Sequence, residues 1–464
     1  MKLYDTKAAE LRDFVPIEKD KVGIYVCGPT VQSEPHIGHL RSALVYDLLT
    51  RWFEHQGMQV TLIRNVTDID DKVLEKASEL GVNWWELAHA NEEQFSSDYR
   101  VLGIRLPSHQ PRATGHIPQM ISLIQELIDA GHAYSSETTA NVYFDTSSWK
   151  QYGELTNQSL DDMETEEAKG EKRNVQDFAL WKATKEAEPG SASWDSPWGK
   201  GRPGWHIECS AMSTHFLGHT FDLHGGGLDL RFPHHENELA QSQAAGHGFA
   251  NYWIHNGLVN VAGQKMSKSL GNSVPSKDLF ALADPAVIRY YLSTAHYRSE
   301  LDFQPAVLEE AASALERLHG FLERCSRELG NTQFETVDLN PELSEEFVNE
   351  MNDDLNIPAA LAVIHDAVTS GNTELDEQQL REAAQHRDQV MKMLEILGLA
   401  PSQWSTGSSA EHAALDSLIG DLIAKRDAAR ENKDYKTADE IRDQLDKAGI
   451  ELSDGPNGTH WSLS

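Results

Sequence analysis

Apolar residues recur along the chain in two rhythms, and the switch between them outlines much of the architecture. Val22-Gly23-Ile24-Tyr25-Val26 is a short apolar run that predicts a buried strand ending at Cys27-Gly28-Pro29-Thr30. From Pro35-His36 to about Gln56 the period lengthens. Leu40, Leu44, Leu48 and Trp52 fall four apart on one helix face, and Gly57 supplies the stop. Met58–Val66 reads as a second strand, followed by the polar loop Thr67-Asp68-Ile69-Asp70-Asp71. Strand, helix, strand in that order predicts a parallel Rossmann-type sheet with ligands at the carboxyl ends of its strands.

Between residues 111 and 200 the texture changes. A helix over 117–130, closed by Gly131, leads to a hairpin-like stretch at Ala140–Asp145 and the charged segment Asp161–Arg173. The Trp- and Pro-rich Trp194-Asp195-Ser196-Pro197-Trp198 follows. These residues read as an insertion between two halves of an α/β domain, 1–110 and 201–262. The second half resumes at Gly204, with strands at Phe221–His224 and Trp253–Val261. After a connecting region, 263–310, the pattern is almost wholly helical: Pro305–Leu329, Glu342–Ser370 and Glu377–Leu397, an all-α bundle over 311–400. Ser-rich Pro401–Ala410 reads as a linker. Residues 411–464 form a small C-terminal unit of two mixed-charge helices and a short tail reaching Trp461. No internal repeat is visible.

Composition adds limits. A chain of 464 residues exceeds one compact core and calls for two to four domains. Its 39% hydrophobic and 24% charged residues fit a globular protein. No apolar run nears the ~20 residues of a membrane helix, and the start lacks the apolar core of a signal peptide. A cytoplasmic protein away from membranes is expected, and a monomer. The three cysteines, Cys27, Cys209 and Cys325, are too sparse for a disulfide framework and leave thiols for packing, catalysis or metal. A net charge of −33 opposes nucleic-acid binding by the surface as a whole. A local basic track is enough for phosphate contacts, so composition neither proposes nor excludes an RNA partner.

Two segments carry phosphate chemistry. His36-Ile37-Gly38-His39 stands where a strand hands over to a helix N-terminus, whose backbone N–H groups and positive end favour anions. Gly38 admits close approach by a nucleotide. Lys265-Met266-Ser267-Lys268-Ser269 follows the last sheet strand, and its two lysines can neutralise charge developing on a triphosphate. Alone, the first is commonly a helix cap and the second an exposed basic loop. Together and in this order, HIGH and KMSKS resemble the signatures of class I aminoacyl-tRNA synthetases. The resemblance implies attack of an amino-acid carboxylate on the α-phosphate of ATP, with Mg²⁺ accompanying the nucleotide, and transfer to a tRNA ribose hydroxyl. His36, His39, Lys265 and Lys268 would be the catalytic residues, with Gly38, His39 and Lys268 on ATP.

Cys27, Cys209, His234 and Glu238 offer two thiolates, an imidazole and a carboxylate, a reasonable tetrahedral zinc set. Their scatter is not that of a zinc finger, and buried cysteines often only pack. Longer motifs sharpen this: Tyr25–Val31, Gly201–Ser210, Gly225–Glu238 and His255-Asn256-Gly257 resemble those of the cysteinyl-tRNA synthetases, over essentially the whole chain. That resemblance implies one Zn²⁺ ligated by these four residues. It also implies cysteinyl-adenylate contacts from Thr30, Asn65, Thr67, Trp205, His224, Gly227 and Asp229, and L-cysteine, ATP and tRNA(Cys) as partners. The chemistry is coherent: serine differs from cysteine by one atom, and a metal that prefers thiolate supplies the discrimination shape cannot.

The C-terminal block, with Lys425-Arg426, Arg430, Lys433 and Lys436, resembles the anticodon-binding part of the same family. Three rival readings stand beside this one. A ligase joining cysteine to an amino sugar looks shorter at the C-terminus and differs at the Glu238 position. A catalytically inactive tRNA-binding paralogue would not need the intact His36, His39, Lys265 and Lys268. A zinc hydrolase built on His234-His235-Glu236 lacks the HExxH spacing.

Overall fold

The structure, a computed structural model, describes residues 1–158, 171–266, 271–329, 342–404, 409–431, 434–448, 450–455 and 458–463. An antiparallel pair, β1 (Lys2–Asp5) and β2 (Glu10–Asp13), precedes β3 (Lys21–Val26), α1 (Ile37–His55) and β4 (Gln59–Arg64). Two helices absent from the sequence reading follow, α2 (Asp71–Leu80) and α3 (Trp84–Val101). The Asp70 side chain caps α2 by accepting from Lys72 N, and Gly81 ends it at a φ of 66°. The insertion begins with α4 (Ile117–Asp129) and is built on an antiparallel sheet, β5 (Ala133–Ser135), β6 (Val142–Phe144), β7 (Phe178–Ala183) and β8 (Gly201–Pro203).

The parallel sheet resumes with α5 (Trp205–Leu217), β9 (Phe221–Gly227), α6 (Glu236–Ala244) and β10 (Ala250–Asn256). Its order is β10-β9-β3-β4, all parallel, so successive crossovers run to opposite sides of β3 and leave a crevice between the carboxyl ends of β3 and β9. The expected Trp253–Val261 strand is two strands. At Gly257 the chain turns, donating to Tyr297 O at 2.7 Å, and β11 (Val259–Val261) leaves the sheet to pair with β12 (Gln264–Lys265) and β13 (Leu301–Phe303). A Cβ at position 257 would strike the Ser299 carbonyl.

Between β12 and β13 lie α7 (Ser276–Phe280) and α8 (Pro285–Ser293); beyond them α9 (Ala306–Leu329), α10 (Glu345–Asn352), α11 (Ile357–Asp376) and α12 (Leu380–Leu397) are helical, with Cys325 buried among them. The helix expected over Glu342–Ser370 is broken. Asp354 and Leu355 take φ values of 58° and 53°, and the Asp354 carboxylate accepts from Tyr4 N, Tyr297 Oη and Arg298 Nε at 2.7, 2.7 and 2.6 Å. Those acceptor contacts outweigh helix continuity.

Contacts divide the chain into Met1–Ala400 and Pro401–Ser464. The second unit holds α13 (Ser409–Glu431), α14 (Tyr435–Lys447) and a hairpin where the sequence reading has a bare tail, β14 (Ile450–Gly455) with β15 (Gly458–Leu463). Ile419, Leu445 and Ile450 form its core. No helix among the described residues is long and apolar enough to cross a membrane.

One buried cation ties the elements of the first unit together. Arg289 on α8 donates to Asp47 on α1 at 2.7 Å, to Leu397 O at the end of α12 at 2.9 Å, and to Leu102 O and Gly103 O after α3 at 3.1 and 3.0 Å. Burial pushes the Asp47 carboxyl up, but the Arg289 and Arg51 guanidiniums outweigh it and hold it at about 2. A folded-state pKa held below the ordinary 3.8 contributes stability that is complete above about pH 4 and is lost as pH falls toward 2. Asp47→Asn strands Arg289 without its countercharge and should cost roughly 3–5 kcal/mol at neutral pH. Urea unfolding of both proteins from pH 7 to below 3 checks this, the variant showing a flatter acid limb.

Candidate active site

The crevice widens into a cavity of about 430 Å³. Thr30, His36, Gly38 and His39 line it from the β3–α1 connection, Gly227 and Asp229 from the end of β9, Trp205 from the start of α5, and Lys265 and Met266 from β12 and its end. The sequence-separated HIGH and KMSKS segments therefore meet. Ser267, Lys268, Ser269 and Leu270 lie outside the described residues.

His36 is the N-cap of α1, in extended backbone. Its Nδ1 accepts from Gly38 N at 3.2 Å, and His39 Nδ1 accepts from His36 N at 3.2 Å. The rings stack at 3.7 Å between centroids. This reciprocal cap fixes both imidazoles at the positive end of a 19-residue helix. A side chain on Gly38 would press on the His36 ring and Met266 Cε, so the glycine sets how closely the two segments approach.

Behind the Cys27 end of the cavity lies a buried cluster of donors. One ligand atom each from Cys27, Cys209, His234 and Glu238 lie within 4.8 Å of one another, all buried. Cys27 Sγ is 3.2 Å and His234 Nε2 3.1 Å from Glu238 Oε1. The backbone leaves helical geometry at Phe232, and the helical stretch behind that break runs into α6, so His234 and Glu238, four residues apart, share one face. Around the cluster, His206 Nδ1 meets His234 Nδ1 at 3.0 Å and Trp205 stacks on the His234 ring at 4.3 Å, holding Nε2 inward. Burial pushes the Cys27 and Cys209 thiols up and the His234 imidazole down. Two sulfurs, a nitrogen and an oxygen at such separations suit a tetrahedral divalent cation, whose charge favours the thiolates that burial disfavours.

Thr30, Trp205, Gly227 and Asp229 stand where the sequence reading puts them, on the cavity wall. Three residues do not. His224 is fully buried, 2.8 Å from Glu238 Oε2 and 4.0 Å from Cys27 Sγ, and stacks on Trp253 at 4.5 Å, so it steadies the donor cluster from behind. Asn65 and Thr67 are also buried beneath the wall. Asn65 Oδ1 accepts from Gly28 N at 2.9 Å and Thr67 Oγ1 donates to Glu208 at 3.0 Å. The reason is strand alternation: Arg64 lines the cavity, so its neighbour Asn65 faces away. Gly28 makes this contact possible, since a Cβ there would fall on the Asn65 carbonyl. Sequence reasoning missed Arg64 and Tyr99, which also line the cavity. A charge inside the apolar Met58–Val66 run was the available signal.

The sheet, the insertion and the paired phosphate-facing segments define a class I aminoacyl-tRNA synthetase, and comparison with known proteins agrees. Residues 13–313 match the family described as tRNA synthetases class I (C) catalytic domain, 346–401 the DALR domain, and 412–461 the cysteinyl-tRNA ligase anticodon binding domain. The cysteine–tRNA ligase of Clavibacter michiganensis subsp. michiganensis is 55% identical over 100% of this chain and 99% of its own length; that of Leifsonia xyli subsp. xyli is also 55% identical, at the same coverage. Among solved structures, a Mycobacterium tuberculosis methionyl-tRNA synthetase in complex with methionyl-adenylate shares the fold at a TM-score of 0.59 and 16% identity, covering 82% of this chain and 90% of that one. The chain belongs to the cysteine–tRNA ligase family.

Metal analysis of the purified protein should find about one divalent ion per chain. Cys209→Ser and Glu238→Gln should each lower retention on dialysis by about tenfold or more. Undiminished metal in Cys209→Ser would remove that residue from the site.

Proposed function

We propose that the chain is a cysteine–tRNA ligase, which joins L-cysteine to ATP to form cysteinyl-adenylate and passes the aminoacyl group to the 3′-terminal adenosine of tRNA(Cys). The observation that carries this reading is the buried Cys27, Cys209, His234 and Glu238 set beside the cavity that also receives the HIGH helix start. Zn²⁺ suits these donors best; when bound it selects a thiol over a hydroxyl and lowers the thiol's pKa. Trp205 closes one side of a small pocket, Asp229 faces the ammonium group, and Thr30 and Gly227 complete the wall. His36, Gly38 and His39 receive phosphate oxygens at the helix start, with Mg²⁺ on the nucleotide. Lys265 and Lys268 neutralise charge on the departing pyrophosphate. No protein nucleophile is needed, because positioning and charge stabilisation supply the acceleration.

On this reading residues 1–110 and 201–262 make the catalytic domain, 111–200 the insertion, 263–310 the KMSKS and stem-contact region, 311–400 the bundle, and 411–464 the anticodon-binding domain. The match of residues 412–461 to an anticodon-binding family favours tRNA over an amino sugar as acceptor. The protein should support cysteine-dependent ATP–pyrophosphate exchange without tRNA and should charge tRNA(Cys). Exchange with charging of an amino sugar alone would reverse the assignment. Lys268→Ala should slow adenylate formation by roughly 10²-fold with little change in cysteine binding. Equal losses in rate and binding, read by stopped flow and equilibrium dialysis, would deny Lys268 a transition-state role.

A further inference from the structure

Arg64 ends β4 and lines the cavity, yet the residue is only 4% exposed. Its guanidinium lies over the Tyr99 ring, 4.4 Å from the centroid. Among the described residues no carboxylate pairs with it, and Nη2 is buried without an acceptor. The other buried arginines of the first unit are engaged. Arg202 pairs with Asp71 and Glu188, Arg289 with Asp47, and Arg41 donates to four backbone carbonyls. Burying a cation without a partner is costly, so its place beside a cavity calls for a countercharge that arrives with the ligand.

The surroundings say which countercharge. A Cβ at Gly28, next to the metal donor Cys27, would lie 3.4 Å from Arg64 Cγ. On the other side Tyr99 packs on Phe95, and Phe95 meets the His39 ring edge-on at 4.9 Å. Arg64 thus stands between the donor cluster and the phosphate-facing helix start. Asp229 is the one carboxylate among the described lining residues. An amino acid held by its thiol at the cluster and by its ammonium at Asp229 directs its third polar group, the carboxylate, into the space between cluster and helix. A planar guanidinium matches a carboxylate in both shape and charge. No hydrogen bond to the protein has to break for it to turn toward that group.

We infer that Arg64 binds the α-carboxylate of the amino-acid substrate and presents it to the α-phosphate of ATP, an inference that rests on the ligase reading. Steady-state pyrophosphate exchange by full-length, metal-loaded Arg64→Gln and Arg64→Lys tests it. In Arg64→Gln the KM for cysteine should rise about 30-fold, the KM for ATP should stay within about threefold, and Arg64→Lys should recover part of the loss. Cysteamine, which keeps the thiol and amine but lacks the carboxylate, should inhibit wild type and Arg64→Gln with the same Ki. A rise in the KM for ATP with that for cysteine unchanged would place a phosphate on Arg64 and overturn the inference. So would unchanged constants, or a cysteamine Ki that worsens in step with cysteine, which marks a structural role. If wild type itself fails to exchange pyrophosphate with cysteine, the ligase reading falls and this inference with it.

Discussion

Glu238 is a carboxylate wholly removed from water, and among the described residues no lysine or arginine stands beside it. It faces a thiol and three imidazoles, a set that suits a shared positive charge in a buried interior. Much of the surrounding architecture serves that cluster. The helical stretch that starts behind the break at Phe232 sets His234 and Glu238 on one face, His206 and Trp205 wall in the His234 ring, and Trp253 backs the ring of His224. Gly225 leaves space for Tyr46, whose hydroxyl donates to Gly226 O and Ile254 O and so fixes α1 over the strands that deliver the donors.

The end of the cavity lined by His36 and His39 is held by different means. There the groups are half-exposed and are fixed by a helix cap, with Arg41 gripping the Gly257-Leu258 turn from the same helix at 3.1 and 2.8 Å. That turn leads into β11 and on to Lys265, so α1 carries the histidines and also anchors the strand that brings the lysine opposite. Through Asp47 and Arg289 the helix reaches the Leu397 carbonyl at the end of α12. One element thus touches both halves of the catalytic cavity and the helical bundle.

The sequence made β3, α1, the insertion and the bundle legible because each rests on local periodicity and a stop residue. It was poorer where a tertiary contact decides. Nothing local to Glu342–Ser370 shows that Asp354 is needed by Tyr4, Tyr297 and Arg298, so the helix break was invisible. β7 is a short strand whose partner β6 lies far from it along the chain. The C-terminal hairpin, although Ile450 and Leu452 alternate with Glu451 and Ser453, is brief and runs into turn residues that read as a tail. In the site, motif resemblance placed residues near the cavity but could not say which face of β4 each one occupies. Alternation there puts Arg64 on the wall and sends Asn65 beneath it.

The clearance at Gly28 carries a consequence for how this sequence can drift. With the Asn65 carbonyl occupying the place of a Cβ, the ends of β3 and β4 touch through bare backbone. Every single-nucleotide change that alters a glycine codon's amino acid installs at least one carbon there, so no one-step neighbour leaves the contact intact. The position is thereby sealed against gradual exploration. Variation that reshapes this end of the cavity enters instead through lining residues such as Trp205, Asp229 or Arg64, whose side chains reach the cavity without parting these two strands.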